Sequence, residues 1–459
     1  MQGKPKLGAW GDALAPTGVG ERLYAFAAEI YPICRSITGP GVRETLDHVG
    51  RIVPLARTET PSGTPVLDWT IPNEWTIRDA YIKNAAGERV VDFQKHNLHV
   101  LNYSAPVRAR MTLDALKPNI FTLPEQPDLI PYRTAYYQER WGFCMSQRAL
   151  DRLPDGEYDV CVDSTLAPGS LTYAEYVHKG ESPEEVLLQA HICHPSLAND
   201  NCSGIAVLAH LAAAMASIRT RYTYRFLFAP GTIGAITWLA NNQDAVKRVK
   251  HGLVISCVGD AGGPTYKRTL RGDALIDRAM AHVLRHGARS PRIVDFFPYG
   301  YDERQYNTPG FRMDVGLFQR SQFATFPEYH TSADNLSFIR PQFLEASMRA
   351  VAQTIEVLEV GQEKLTNTAP YGEPQLGKRG LYAAIGGDKD AYAKNMAMLW
   401  ILSLADGSRD LLEMAERAEI PFNVLAATAE TLRENGLLAP VQEKPKRPRA
   451  PRKPKPPSP

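Results

Sequence analysis

Short apolar runs of the kind that form buried strands alternate with helical stretches between about residue 185 and residue 320. The runs read EVLLQA, YRFLFA, GLVISCV and VGLFQ, and the helical stretch GIAVLAHLAAAMASI lies between the first two. Strands that are apolar on both faces are typical of a parallel sheet covered by helices. The sequence therefore predicts an α/β fold with a mostly parallel mixed sheet and helices on both faces.

Changes in composition predict the domain organisation. Residues 18–64 contain two helical stretches, and we expect them to join residues 166–365 in the α/β domain. Residues 65–165 consist of short β-prone pieces separated by Pro, Gly, Asn and Asp, which predicts a small inserted β-rich domain. The remaining predicted segments are a linker or strap at 366–389, a winged-helix-like domain at 390–440 and a disordered basic, Pro-rich tail at 441–459.

The predicted winged helix contains three helical segments followed by GLLAP. The first covers residues 390–404, the second begins after an N-cap at Ser408, and the third has Pro421 at its first position. A DNA-reading helix usually carries several basic residues, yet the third segment has only Arg433. We therefore expect no nucleic-acid binding through this helix; its Ala- and Leu-rich face suits docking or formation of a homo-oligomer.

The net charge of +2 conceals a basic C-terminus. Residues 444–459 contain seven Lys and Arg residues and no acid, so the rest of the chain has 45 basic against 50 acidic residues. A solvated tail is the simpler interpretation of this segment, with contact to nucleic acid or an acidic surface as the alternative. Because the chain has no long apolar run and its six cysteines have no CxxC spacing, we expect a cytoplasmic protein without membrane contact or disulfides.

Imidazole and carboxylate groups follow several of the predicted strands. His191 ends one strand in QAHICHPSLANDNCSG, where Asp200 also lies; Asp260 follows GLVISCV, and His330 lies in PEYHTSADN. Zinc takes nitrogen from neutral imidazole and oxygen from carboxylate, and ligands of open α/β sheets gather at the carboxyl ends of the strands. Each residue alone is more often a cap or a hydrogen-bonding group, but four placed in this way predict a zinc site.

Longer segments carry a resemblance to a known family. HICHPSLANDNCSG, VGDAGG and PEYHTSADN resemble the metal-binding segments of the dinuclear zinc aminopeptidases, the leucyl aminopeptidase and glutamate carboxypeptidase superfamily. Residues 20–440, through YPICRSITG, PYRTAYYQERWGFCMS, DERQYNTPGF and EPQLGKRGLY, resemble a bacterial family with an aminopeptidase-like domain, an inserted β domain and a C-terminal winged helix. Members of that family are often linked with polysaccharide or secondary-metabolite gene clusters.

The resemblance implies a role for each candidate ligand. It implies that His191 and Asp260 bind one zinc ion, that His330 binds a second, and that Asp200 bridges the two. His194 lies three residues after His191 and could replace or support it. The cofactor expected from the resemblance is therefore one or two zinc ions.

The chain departs from the family pattern at the expected general base. The resemblance places a glutamate after the strand YRFLFA, but the chain reads PGTIG, with Gly231 at that position and Thr232 at the position of a metal-binding carboxylate. Loss of a general base costs on the order of a hundredfold to ten-thousandfold in rate. Glu328 is a candidate replacement, because residues two apart on an extended strand face the same side and Glu328 lies two residues before His330. A solvated loop residue is the alternative interpretation of Glu328.

The candidate substrate-binding residues are Asp302, Glu303, Arg304 and Tyr329, because they lie in the motifs YGYDERQY and PEYHTSADN. An arginine can bind a substrate carboxylate or phosphate through two parallel hydrogen bonds, although a structural ion pair is the alternative. Tyr136, Tyr137 and Trp141 could wall a pocket, but aromatic clusters more often form core.

These observations favour a zinc-dependent hydrolase that cleaves an aminoacyl or amide bond of a peptide or small metabolite. The alternative is a catalytically impaired protein that uses the zinc site for binding or regulation, because Gly231 replaces the expected base.

Overall fold

The computed structural model describes residues 3–381 and 389–441. Residues 382–388 of the predicted linker and the predicted tail from residue 442 onward lie outside the described residues. The described residues form two compact units: those up to residue 360 together with 421–423, and the others from residue 361 onward.

An eight-stranded mixed sheet forms the centre of the first unit, as the apolar runs predict. Its four middle strands are mutually parallel, and antiparallel neighbours flank them. In spatial order the strands are Ala56–Pro61, Ser170–His178, Thr223–Ala229, Glu185–His191, Val249–Ile255, Val315–Gln319, Thr265–Lys267 and Arg292–Val294. Every residue of Thr223–Ala229, Glu185–His191 and Val315–Gln319 is buried, which explains their unbroken apolar character.

Helices cover this sheet. The longest, Pro341–Val360, packs against Val19–Ile30, Leu275–Gly287 and Trp10–Leu14. Gly204–Met215 is apolar almost all round and is buried against the central strands, as its sequence requires. The other α-helices of the first unit are Pro40–Gly50, Leu113–Leu116, Gln147–Asp151, Ile233–Asn241, Gln243–Arg248 and Glu303–Tyr306.

The β-rich segment forms a four-stranded antiparallel sheet. Its order is Arg89–Asp92, Glu74–Lys83, Glu157–Ala167 and Val107–Thr112. Its buried residues, such as Trp75 and Val160, belong to the same hydrophobic core as Leu187 and Trp238 of the main sheet. The segment therefore shares the core of the first unit. Two-stranded pairs, Pro65–Val66 with Trp69–Thr70 and Ile120–Phe121 with Phe143–Cys144, complete it.

Among the described residues from 361 onward, three α-helices accompany a small three-stranded sheet. The helices are Lys389–Leu404, Leu411–Ala418 and Phe422–Glu434, and the strands are Asp406–Asp410, Lys364–Asn367 and Leu438–Pro440. Two details differ from expectation. The N-cap of the second helix is Asp410, whose carboxylate accepts a hydrogen bond from Glu413 N, because Ser408 lies in a strand. The sheet also recruits residues 364–367, upstream of the expected start at residue 390.

Two further observations concern the described residues. In that part of the chain, every helix is too short or too polar to cross a lipid bilayer. All six cysteines are unpaired, and all except the half-buried Cys34 are buried.

Candidate metal centre

The strand Glu185–His191 delivers His191 to the edge of the sheet where the parallel strands end. Its neighbour Thr223–Ala229 runs parallel to it, with His191 opposite Ala229. The loop after His191 turns back through an irregular helical turn, Ala198–Ser203, and this turn brings Asp200 under the imidazole. Carboxyl ends of parallel strands are the usual location of sites in such folds.

Three imidazoles surround the carboxylate of Asp200. His191 Nε2 lies 2.8 Å from Asp200 Oδ1, and His330 Nε2 lies 3.1 Å from Asp200 Oδ2. His194 Nε2 is 4.0 Å from Oδ2. The ligand atoms of His191, His194 and Asp200 all lie within 4.8 Å of one another. We call these four residues the Asp200 cluster; it unites residues that are up to 139 positions apart in the sequence.

Aromatic rings fix the orientation of the imidazoles. Tyr301 stacks on His191 with 4.9 Å between ring centroids, and Tyr329 stacks on His330 with 4.0 Å. Tyr132 makes tilted and edge contacts with His194 and His330, at 5.1 Å and 5.0 Å. Tyr132 and Tyr301 lie inside the motifs PYRTAYY and YGYDERQY, but an aromatic residue in a loop resembles core residues and gives no separate signal.

The protonation states in the cluster suit a cation. Burial lowers the pKa of His194 well below its ordinary value, so this imidazole is neutral at physiological pH. Burial also tends to raise the pKa of the Asp200 carboxyl, but the surrounding imidazoles outweigh it and hold that pKa well below its usual range. A neutral imidazole next to an ionised carboxylate is the form in which these side chains bind zinc.

A second buried carboxylate holds the loop of Asp200 in place. Asp334 Oδ1 and Oδ2 accept hydrogen bonds from the backbone N–H groups of Asn199, at 2.6 Å, and Asp200, at 3.0 Å. Burial raises the pKa of Asp334 to about 8. Asp334 lies four residues after His330 in PEYHTSADN, but a loop aspartate there looks like an ordinary turn or cap residue in the sequence.

Asp260 lies outside the Asp200 cluster. Its Oδ1 accepts hydrogen bonds from Ser321 Oγ and Gly262 N, both at 2.6 Å, and its Oδ2 accepts one from Asn199 Nδ2 at 2.9 Å. Both carboxylate oxygens therefore bind protein donors in the described structure. The role of Asp260 as a zinc ligand stays a prediction.

A cavity of about 340 Å³ opens beside the cluster. His191, His194 and Gly231 line it, and its walls are largely aromatic, from Trp69, Tyr136, Tyr137, Tyr299, Tyr301, Phe323 and Tyr329. Two of the three aromatic residues considered as pocket walls are thus present; Trp141 instead packs against Phe143. We call this space the aromatic cavity.

Gly231 leaves room where a side chain could stand. A Cβ atom at this position would lie 3.3 Å from Cys193 Sγ and 3.8 Å from His191 Cβ, so a small shift of the Cys193 side chain would admit it. The backbone N–H of Gly231 donates a hydrogen bond to Cys193 Sγ at 3.2 Å. The position predicted for the general base therefore faces the cavity next to the cluster, and the chain places no carboxylate on it.

The structure separates the remaining candidates. Asp302, Arg304 and Tyr329 line the aromatic cavity, whereas Glu303 is fully buried and binds Lys267 Nζ at 2.7 Å. Glu328 is absent from the cavity lining. The extended strand assumed for Glu328 is wrong, because residues 327–330 form turns and the carbonyl of Glu328 accepts a hydrogen bond from Thr331 N.

Asp302 is the carboxylate that the structure places beside Gly231. Its Oδ1 accepts a hydrogen bond from Thr232 N at 2.6 Å, and its Oδ2 accepts one from Gln189 Nε2 at 2.6 Å. The Tyr306 hydroxyl donates to Gln189 Oε1 and so fixes the orientation of that amide. Burial raises the pKa of Asp302 to about 6.

Comparison with known proteins identifies close relatives and a wider fold group. A Clostridium acetobutylicum protein is 48% identical over 419 residues, covering 91% of this chain and 96% of the relative; its name assigns it provisionally to polysaccharide biosynthesis, with an aminopeptidase-like domain. A crystal structure from the same organism, named provisionally as a peptidase, is 45% identical, with a TM-score of 0.87 over 94% of this chain and 98% of that one.

The fold extends to more distant structures. BSAP, a zinc aminopeptidase from Bacillus subtilis, has 13% identity and a TM-score of 0.55, covering 73% of this chain and 94% of that chain. The α/β fold is thus the one found in zinc aminopeptidases. Residues 363–440 match the model of a winged helix-turn-helix, which confirms the predicted winged helix. Residues 24–361 match the model of the domain of unknown function DUF4910, and the chain belongs to that family.

Proposed function

We propose that this protein is a zinc-dependent, peptidase-like hydrolase that cleaves the aminoacyl or amide bond of a peptide or small metabolite. The observation that carries the proposal is the Asp200 cluster, a buried carboxylate surrounded by three imidazoles at the wall of the aromatic cavity. The aminopeptidase-like domain in the name of the Clostridium relative and the shared fold support the same reading.

The donor set of the cluster fits zinc. Zinc prefers imidazole nitrogen and carboxylate oxygen in a compact arrangement, and the ligand atoms of His191, His194 and Asp200 lie close enough together to share one ion. The two oxygens of Asp200 face different imidazoles, His191 and His330, so Asp200 would be the residue shared by the ions if two were bound. Zinc, when bound, supplies Lewis-acid chemistry that polarises a carbonyl group and lowers the pKa of water.

The protein side chains would supply binding and proton transfer. The aromatic walls would exclude bulk water from the reacting amide, and Tyr301 and Tyr329 would hold the imidazoles in orientation by stacking. We assign the role of proton acceptor to Asp302 in place of Glu328, because Asp302 lines the cavity and binds the backbone next to Gly231. A carboxyl pKa of about 6 suits a base that works near neutral pH.

Metal analysis and turnover together test this proposal. The purified full-length protein should contain zinc, and it should release an amino acid from a panel of aminoacyl amides and dipeptides. Removal of the metal with a chelator should abolish release, and addition of zinc should restore it. Zinc-free protein that is fully active would contradict the proposal.

A zinc-site binding protein with impaired catalysis is the second candidate function, and Gly231 favours it. The cavity has room for a side chain at this position, yet none is present. This candidate expects stoichiometric zinc, no turnover on the whole panel, and turnover in Gly231→Glu. An active wild-type protein would eliminate it.

The winged helix supports docking rather than nucleic-acid binding. Arg433, the basic residue of the helix Phe422–Glu434, donates to Glu363 at 3.1 Å and also pairs with Glu430. Its charge is therefore neutralised within the unit. We propose a cytoplasmic protein that acts on a small molecule or peptide, does not bind nucleic acid through this helix and forms homo-oligomers. A size measurement in solution and a salt-dependent DNA-binding assay test these points.

A further inference from the structure

Three charged residues follow one another at the wall of the aromatic cavity, and two of them have partners. Asp302 accepts hydrogen bonds from Thr232 N and Gln189 Nε2, both at 2.6 Å. Glu303 forms an ion pair with Lys267 at 2.7 Å, with both side chains fully buried. Neither carboxylate forms an ion pair with the third residue, Arg304.

Arg304 has no ion-pair partner among the residues that the structure describes. Its side chain lines the aromatic cavity together with His191 and His194, and its Nε atom is buried without a hydrogen-bond partner. The carbon of its guanidinium lies 5.9 Å from the ring centroid of Tyr299, which provides a flat surface beside it. The structural ion pair considered as the alternative role of Arg304 is therefore absent from the described residues.

A buried donor without an acceptor is costly, and a guanidinium has a preferred acceptor. An unsatisfied buried polar group costs about 1–3 kcal/mol, more when it is charged, so such groups usually bind something in the working protein. The planar fork of an arginine matches the two oxygens of a carboxylate or phosphate. The guanidinium of Arg304 is also suitably placed for a substrate, because the cavity that Arg304 lines is lined by His191 and His194 of the Asp200 cluster as well.

We propose that Arg304 binds an anionic oxygen group, a carboxylate or a phosphate monoester, of a substrate whose other end reaches the Asp200 cluster. A cavity of about 340 Å³ lies at the small end of ligand pockets, which indicates a substrate of about dipeptide size. The anion-binding half of this inference depends on Arg304 alone. The position of the amide at the cluster rests on the proposed hydrolase function.

Binding of reduced-amide analogues tests the inference without requiring turnover, because these compounds lack the bond to be cleaved. Three analogues of one scaffold are compared on the full-length zinc-loaded protein by calorimetry. They are the reduced-amide form of L-alanyl-glycine with a free carboxylate, the same compound as its carboxamide, and the counterpart in which 2-aminoethyl phosphate replaces the glycine. We expect at least one anionic analogue to bind tenfold or more tightly than the carboxamide. The tighter of the two anions identifies the carboxylate or the phosphate as the group recognised.

Variants of Arg304 supply the controls. Arg304→Gln should remove the preference for the anion, and Arg304→Lys should retain part of it. Arg285→Gln, which removes an exposed arginine of the helix Leu275–Gly287, should leave it unchanged. Zinc content and melting temperature show whether each variant is folded.

Two results would overturn the inference: a wild-type protein that binds no anionic analogue more tightly than the carboxamide, or a preference that survives in Arg304→Gln. The hydrolase proposal is judged separately. An Arg304-dependent anion preference in a protein without turnover would sustain the anion site and count against the hydrolase. Turnover without the anion preference would sustain the hydrolase and count against the anion site.

Discussion

Two neighbouring strands end side by side at the same edge of the sheet and lead to opposite surroundings. Glu185–His191 leads into the Asp200 cluster, where buried imidazoles and a buried carboxylate are in mutual contact. Thr223–Ala229 leads to Gly231, which places no side chain in the cavity. The candidate metal ligands His191 and Asp200 and the position expected for a glutamate base therefore follow different strands, so a substitution at Gly231 leaves those ligands in place.

Asp200→Asn should have the largest effect, because Asp200 contacts three imidazoles. We expect zinc content to fall to a trace and any turnover to fall by about ten-thousandfold, since a neutral amide cannot balance the cation. Metal analysis and aminoacyl-amide hydrolysis measure the two effects. Asp260→Asn is the matched variant, and loss of zinc from the folded Asp260→Asn protein would support Asp260 as a ligand. Retention of zinc in Asp200→Asn would contradict the assignment of the metal site to the Asp200 cluster.

Gly231→Glu should have the next largest effect, with the opposite sign. The Cβ atom of a glutamate has room if the Cys193 side chain shifts slightly, and the glutamate would supply the missing carboxylate. We expect kcat to rise by roughly a hundredfold or more if proton transfer limits the reaction. Gly231→Ala, which adds only a methyl group, should leave kcat near that of the wild type. Equal gains in both variants would point to packing as the cause.

Asp302→Asn should lower kcat by roughly a hundredfold while zinc content stays unchanged. Because burial raises the pKa of Asp302 to about 6, the carboxylate forms as pH rises through that value, and wild-type turnover should rise with it. The variant should lose this part of the pH profile. Asp314→Asn, which removes a carboxylate outside the aromatic cavity, is the control. An unchanged pH profile in Asp302→Asn would remove Asp302 from the mechanism.

Glu356→Gln should have the smallest effect, a change in the pH dependence of the free energy of unfolding. Glu356 is a buried carboxyl group away from both strand ends, so it shows what burial alone does to such a group. Burial raises the pKa of Glu356 from 4.5 to about 7, so the folded state holds this proton more tightly than the unfolded chain. Stability should therefore fall as pH rises between these values, and the variant should exceed the wild type at pH 8 by roughly 1–3 kcal/mol. Urea unfolding of both proteins at pH 4 and pH 8 measures this, and a stability difference that is the same at both pH values would contradict it.

The sequence predicted most of the framework and part of the site. Long apolar runs are interpretable because burial on both faces requires them, and the strands Glu185–His191 and Val315–Gln319 follow them closely. The short polar strand Lys364–Asn367 has no such pattern. Its pairing with Asp406–Asp410 also explains why Asp410 rather than Ser408 caps the next helix.

Site residues were predictable from the sequence where a motif specified them. They were not predictable where a partner remote in the sequence determines how the side chain is bound. His191, Asp200 and His330 converge, as their motifs imply. Asp260 has a competing donor in Ser321, 61 residues away, which no local pattern reveals. The direction of the Glu328 side chain depends on the backbone of residues 327–330, which forms turns instead of the assumed strand. The sequence also could not show which acid, Asp302 or Glu303, would face the cavity.

His330 lies in a stretch of the chain with little regular secondary structure. Described residues 320–338 contain turns, bends and a single bridge between Pro131 and Thr331, without a helix or longer strand. Asp334 ties this stretch to the backbone of Asn199 and Asp200. The same stretch also forms hydrogen bonds with Ile130 and Tyr132 through Ser332 and the backbone of His330. In Asp334→Ala, which removes the carboxylate contacts with the Asp200 loop, we expect faster proteolysis within residues 320–338 while the sheet beneath remains intact.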